Sequence, residues 1–280
     1  MPHLLRRINP KPASLRFALP TIRAPDPILP MTTDQTIPLA QALAAARMQR
    51  RFHAYSATEA SDDPYLVQAE VARLTGTAAA GWKTGFGPDR DRTPIAGPIF
   101  ASDLYANGAS YRLVPGEQVL VEVELAVRLA RDLPSGRSYS IDDILAASDE
   151  MLVGLELIGT RYAQADSAPF SARLADNLNN GAYVTGEGRR DFAALARKSL
   201  PMRLWINGGL VADRPGVHPD GDPLTGVAAW ASAQADRLGG LKAGQVITTG
   251  SLNTPVPIAD GARIEAELSG LGRVRLEIVD

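Results

Sequence analysis

Across residues 119–129 apolar and polar positions alternate with a period of two. Val119, Val121, Val123, Leu125, Val127 and Leu129 fall on one side, and Leu120, Glu122, Glu124, Ala126 and Arg128 on the other. This predicts a strand over 119–130 with one wholly apolar face. The run 151–158 is apolar apart from Gly154 and Glu156 and predicts a buried strand. Further strands are predicted near 181–185 and at 202–207, 245–249, 262–268 and 273–279, with short strands and turns from Gly81 through Ser110. Helical spacing covers 36–52, 64–75, about 140–148 and 224–238, with a helical turn near 170–178. Pro64 directly after Asp62 and Asp63 is the chemistry of a helix start. The Gly-, Pro- and Asp-rich stretch after 202–207 reads as a turn leading into helix 224–238. Helices come first and a strand-rich body follows, so the class is mixed α+β and not a βαβ series.

Composition narrows the chemistry. The 280 residues, 45% of them apolar, can bury a sizeable core as one large domain or two small ones. A formal charge of -2 leaves no basic excess for phosphates, which argues against a nucleic-acid partner. With no cysteine, thiolate metal sites, disulfides and Cys nucleophiles are excluded, and a reducing, cytoplasmic location is permitted. Histidine occurs only as His3, His53 and His218, so any metal must be held mainly by oxygen. No apolar run approaches a membrane span. The first thirty residues are rich in arginine and proline against the single acid Asp26. Residues 1–33 are therefore read as an extension outside the fold, either disordered or preceding a true start at Met31. Residues 34–80 are read as a helical N-terminal region and 81–280 as the β-rich catalytic body.

The polar face of strand 119–130 holds the candidate site. Same-face residues lie roughly 6.5–7 Å apart, so the Glu122 and Glu124 carboxylates can converge on one cation. Unneutralised, they would repel each other and one would be driven to protonate. Magnesium, manganese and calcium all take such oxygen ligands. The competing reading is a solvent-facing strand whose glutamates are partly neutralised by Arg128. Glu156, a charge inside an apolar strand, needs a partner, which is Arg161 or Lys83 on one reading and the same metal on the other. Lys83, between Gly81 and Gly85, is either a strand-end lysine or a group that binds a substrate carboxylate or relays a proton. Thr249 and Ser251, beside Gly250, could donate hydrogen bonds to a ligand. No G-x-S-x-G or G-x-G-x-x-G occurs, and the segment from Gly76 to Trp82 misses a phosphate-binding loop.

Six segments in order resemble the 2-oxopent-4-enoate hydratase and 4-oxalocrotonate decarboxylase group of the fumarylacetoacetate hydrolase superfamily. They are Asp63-Pro64-Tyr65-Leu66-Val67-Gln68, Gly81-Trp82-Lys83-Thr84-Gly85, Val121 to Ala126, Leu155-Glu156 with Thr160-Arg161-Tyr162, Ala175-Asp176-Asn177, and Leu241 to Ser251. The resemblance spans about Thr36 to Asp280. It implies a mixed β-roll core with helices packed around it, and Mg²⁺ or Mn²⁺ on Glu122, Glu124 and Glu156. It places Lys83 at the active site, with Asp103 one residue out of register with an active-site aspartate. The activity implied is hydration of a 2-hydroxy-2,4-dienoate to a 4-hydroxy-2-oxo acid, as in aromatic-compound degradation. Decarboxylation of a 2-oxo-3-enedioate and C–C hydrolysis of an acylpyruvate are alternatives on the same scaffold. A non-catalytic partner subunit is the alternative of another class. The resemblance also implies a homo-oligomer, with a neighbouring pathway enzyme as a candidate partner. One departure stands out: Asn179-Asn180 replaces a serine pair of which one member belongs to the active site, and this puts Asn180 beside the substrate.

Overall fold

The computed structural model describes residues 36–56, 61–164 and 168–279, all within a compact unit from Met31 to Asp280. The extension predicted at 1–33 lies outside the described residues. Two helices open the fold, α1 (Thr36–Gln49) and α2 (Pro64–Thr75). They are followed by β1 (Ala79–Phe86), β2 (Pro94–Phe100), β3 (Leu104–Ala106), β4 (Ala109–Arg112) and β5 (Val119–Leu129). Next come α3 (Ile141–Ala147), β6 (Ser148–Ile158), α4 (Phe170–Ala175), β7 (Asn180–Arg189), β8 (Leu200–Ile206) and β9 (Gly209–Gly216). The chain continues through α5 (Leu224–Ala233), β10 (Val246–Ser251), β11 (Val256–Ile258), β12 (Arg263–Leu268) and β13 (Gly272–Val279).

The strands form two sheets, the larger ordered β2-β1-β10-β5-β6-β7-β3 with β11 on β5, the smaller β4-β13-β12-β8-β9. This is the mixed α+β, curled-sheet architecture expected. The apolar face of β5 (Val121, Val123, Leu125) joins Leu204, Ala266 and Val274 of the smaller sheet in one core. Gly186 marks the close approach of the sheets, since a Cβ there would stand 2.5 Å from the Cβ of Val274. The opening helices build a separate cluster in which Leu39, Leu43, Val67 and Val71 pack with Phe100, Tyr162 and Ala172. Asp63 caps α2 by accepting from the Leu66 N–H, and Gly76 ends it in the left-handed conformation. Gln68 on α2 donates to the carbonyls of Ala96 and Leu174, tying β2 and α4 to the helical layer. Among the described residues no helix is long and apolar enough to cross a membrane.

Several boundaries differ from the sequence expectation, three of them instructively. The predicted turn after β8 is the hairpin strand β9, an edge strand that carries Pro215 and an almost wholly exposed surface. Edge strands tolerate proline and need no apolar alternation, so period two was absent there. Helix α5 stops at Ala233 because Gln234 turns left-handed (φ 36°) and its N–H returns to the Trp230 carbonyl. β7 runs on to Arg189 as the partner of β6.

Candidate metal centre

Strand register assembles the site. Glu122 pairs with Glu156 across β5 and β6, and Glu124 pairs with Gly154. All three glutamates are buried, Glu122 at 9% exposure and the other two at 0%, which rules out the solvent-facing reading of this strand. Each offers one carboxylate oxygen to a group whose members lie within 4.8 Å of one another. From β1, Lys83 Nζ reaches Glu156 Oε1 at 2.9 Å, and Asn180 Nδ2 donates to the same oxygen at 3.0 Å. Of the two partners foreseen for Glu156, Lys83 takes the role and Arg161 goes to Asp176.

One ammonium does not neutralise three carboxylates. Burial, then the charge of Glu156, raises the Glu122 pKa to about 7, while Lys83 and the nearby Ser251 hydroxyl pull it down. Glu124 is pushed well above its ordinary value, again by burial first and then by Glu156 and Glu122. Burial alone would lower the Lys83 pKa, but Glu156, Glu124 and Glu122 outweigh it and raise it, so the ammonium keeps its proton. Both Glu124 oxygens and Glu156 Oε2 are buried without a hydrogen-bond partner. Buried carboxylate oxygens without donors are costly. An all-oxygen set with spare lone pairs and excess negative charge is what a hard divalent cation requires, so these residues fit Mg²⁺ or Mn²⁺.

The wall opposite β5 is a left-handed turn. Asn177, Leu178 and Asn179 have φ of 56°, 56° and 59°. Such residues cost roughly 1–2 kcal/mol each, least for asparagine, which occupies two of the three positions. The turn directs the Leu178 carbonyl at Lys83 Nζ (3.2 Å) and delivers Asn180 to Glu156. It is held from below: Asp176 accepts from the Thr160 hydroxyl at 2.9 Å and from the Arg161 N–H at 2.8 Å, while Arg161 Nη1 donates to the Asn180 carbonyl at 2.6 Å. On the other side Asn177 Nδ2 donates to the Pro98 carbonyl at 2.9 Å.

Of the remaining candidates, Asp103 and Thr249 fall away from the glutamates and Ser251 borders them. Asp103 pairs with Arg47 at 2.6 Å and borders a cavity of about 300 Å³ that none of the three glutamates lines. The Thr249 hydroxyl donates to the Leu125 carbonyl at 2.7 Å and is used up within the sheet. Ser251 pairs with Glu124 across β10 and β5, and its hydroxyl donates to the Asn253 carbonyl at 2.5 Å. Thr248, in the same strand-end run, pairs with Ala126 and turns its buried hydroxyl toward Glu124. Sequence reasoning passed over Tyr183, whose buried phenol is unpartnered. Only the strand order could have found it.

Residues 88–279 match the family described as fumarylacetoacetate (FAA) hydrolase C-terminal. The chain is 28% identical over 225 residues to a 2-keto-4-pentenoate hydratase of Burkholderia vietnamiensis, covering 79% of this chain and 84% of that one. It is also 28% identical over 229 residues to a 4-oxalocrotonate decarboxylase of Pseudomonas putida, covering 78% and 85%. In fold it is similar to the solved 4-oxalocrotonate decarboxylase from Pseudomonas putida G7, complexed with magnesium and adipate. The TM-score there is 0.74 at 23% identity, over 89% of this chain and 99% of that one.

Proposed function

From its membership of the fumarylacetoacetate hydrolase C-terminal family, to which this chain belongs, we propose that it is a divalent-metal-dependent lyase. The reaction is addition of water to a 2-hydroxy-2,4-dienoate, giving a 4-hydroxy-2-oxo acid. The observation that carries the reading is the group of three buried carboxylates facing one lysine, with three of their oxygens unpartnered. Glu122, Glu124 and Glu156 would hold Mg²⁺ or Mn²⁺. Bound there, the cation supplies a positive centre that stabilises negative charge developing on the 2-oxygen of the substrate.

The protein's own groups do the rest. The Lys83 ammonium, kept protonated by its carboxylate neighbours, pairs with the substrate carboxylate or hands on a proton at the edge of the centre. Asn180 spends its side-chain nitrogen on Glu156, and its side-chain Oδ1, without a partner, accepts from a water or a substrate hydroxyl. Ser251, the register partner of Glu124, lies on the β10 side of the centre. Asp103 acts at a remove, through Arg47 and its 3.9 Å pairing with Asp176 beneath the turn. In this reading the enzyme works in the cytoplasm, and copies associate. Exposed Leu210 and Val211 on the free edge strand β9 support the association.

Decarboxylation is the second reading, because identity to the hydratase and to the decarboxylase is equal at 28%. The test is incubation with 2-hydroxypenta-2,4-dienoate and, separately, 4-oxalocrotonate, each with Mg²⁺. Hydration predicts loss of the dienoate absorbance without CO₂, and its absence in a Glu124→Gln variant. CO₂ release from the dioate with no turnover of the monoacid would transfer the assignment to decarboxylation.

A further inference from the structure

Tyr183 lies on β7 directly opposite Glu156 of β6, on the same face of the sheet as the glutamates. Its ring does not stand upright over its own rung. It leans diagonally across Gly154, where any Cβ would collide with the tyrosine hydroxyl and ring. Gly154 is in turn the register partner of Glu124. A glycine in mid-strand packs nothing and weakens the ladder, and it commonly marks a place where another group approaches the backbone. Here that group is a phenol, and the path over Gly154 leads to the rung of Glu124.

The chemistry of the two ends matches. Tyr183 is fully buried, and its hydroxyl has no hydrogen-bond partner. Glu124 is fully buried, neither of its oxygens is within hydrogen-bonding geometry of a donor, and the Thr248 hydroxyl is the other donor group that faces it. A phenol hydroxyl is a donor, and a carboxylate oxygen is the acceptor it suits. The aromatic body is accounted for by packing with Ile99, Ala126, Leu152 and Val246, which phenylalanine would satisfy equally. Packing therefore leaves the hydroxyl unexplained.

We propose that Tyr183 is a positioning residue of the metal centre, its hydroxyl lying over Gly154 and placed to donate to one oxygen of Glu124 when the other faces the cation. A carboxylate that ligates through one oxygen is oriented by a donor on the second, and removing such donors typically lowers metal affinity about 10–100-fold. The inference rests on the three-glutamate reading and deepens it.

The experiment measures Mn²⁺ affinity of the chelator-stripped full chain from the free-ion electron paramagnetic resonance signal, for wild type, Tyr183→Phe, Gly154→Ala and Glu124→Gln. Tyr183→Phe is expected to weaken Mn²⁺ binding about 10–100-fold. Its metal-free melting temperature should equal or exceed that of wild type, because the change deletes only a buried, unpartnered hydroxyl. Gly154→Ala, which displaces the ring, should weaken binding at least as much. If wild type binds, Glu124→Gln does not, and Tyr183→Phe binds within twofold of wild type, the tyrosine is a packing residue and the inference fails while the centre stands. If wild type binds no Mn²⁺, or Glu124→Gln binds as well as wild type, the three-glutamate reading fails and takes the inference with it.

Discussion

Lys83 and the three glutamates show how a residue pattern becomes a site. The alternation in β5 put Glu122 and Glu124 on one face, and the interruption of an apolar run singled out Glu156. Both signals were legible because a charge within an apolar strand has few explanations. What the pattern left open was burial, and with it the choice between a solvated face and a cation site. The titration behaviour of the metal-free protein follows from that burial. Glu122 moves from the ordinary 4.5 to about 7, with burial the largest cause. Between those values the folded chain binds more protons than the unfolded one, so stability falls as pH rises. The contribution is complete below about 4.5 and lost as pH rises through about 7. Thermal unfolding of chelator-stripped protein should show a midpoint that declines across this window. Saturating Mn²⁺ should flatten the decline by replacing the proton as neutralising partner. A metal-free midpoint that climbs with pH would contradict this account of the carboxylates.

At the scale of elements, the strand and helix periods were readable nearly everywhere that one face is apolar and the other is not. They failed at β9, whose exposed edge has no such contrast, and at the end of α5, which a single left-handed glutamine sets. The turn at Asn177–Asn179 was legible only as an oddity, asparagines where a serine pair was expected. Its conformation supplies a reason, since asparagine is among the few residues that take the left-handed region at low cost. The turn sits hard against β2: a Cβ at Gly97 would lie 2.6 Å from the Asn177 carbonyl carbon and oxygen. Gly97→Ala is therefore expected to cost about 1–3 kcal/mol in thermal or denaturant unfolding, the usual penalty of overpacking. Turnover should fall with it, because the Leu178 carbonyl and the Asn180 amide ride on the displaced turn. Wild-type stability together with wild-type turnover in that variant would show that the turn is not braced in this way.

The whole molecule brings together residues that the chain keeps far apart. Lys83 on β1, Glu122 and Glu124 on β5, Glu156 on β6 and Asn180 on β7 meet because the larger sheet is ordered β1-β10-β5-β6-β7, with β10 inserted from near the C-terminus. The fold class was legible from helices preceding a strand-rich body. The strand order was not, since pairing between distant strands leaves no local period, and so Tyr183 escaped notice while Asp103 and Thr249 drew it. On the proposed function, this sheet order builds a cation site for a 2-oxo acid. That function is tested most directly by calorimetric titration of Mn²⁺ into chelator-stripped protein, with and without oxalate as a 2-oxo-acid mimic, for wild type and Glu124→Ala. Wild type is expected to bind Mn²⁺ and to bind oxalate only with the cation present, and Glu124→Ala to bind neither. Failure of wild type to bind Mn²⁺, or oxalate binding that ignores both the cation and the mutation, would contradict it.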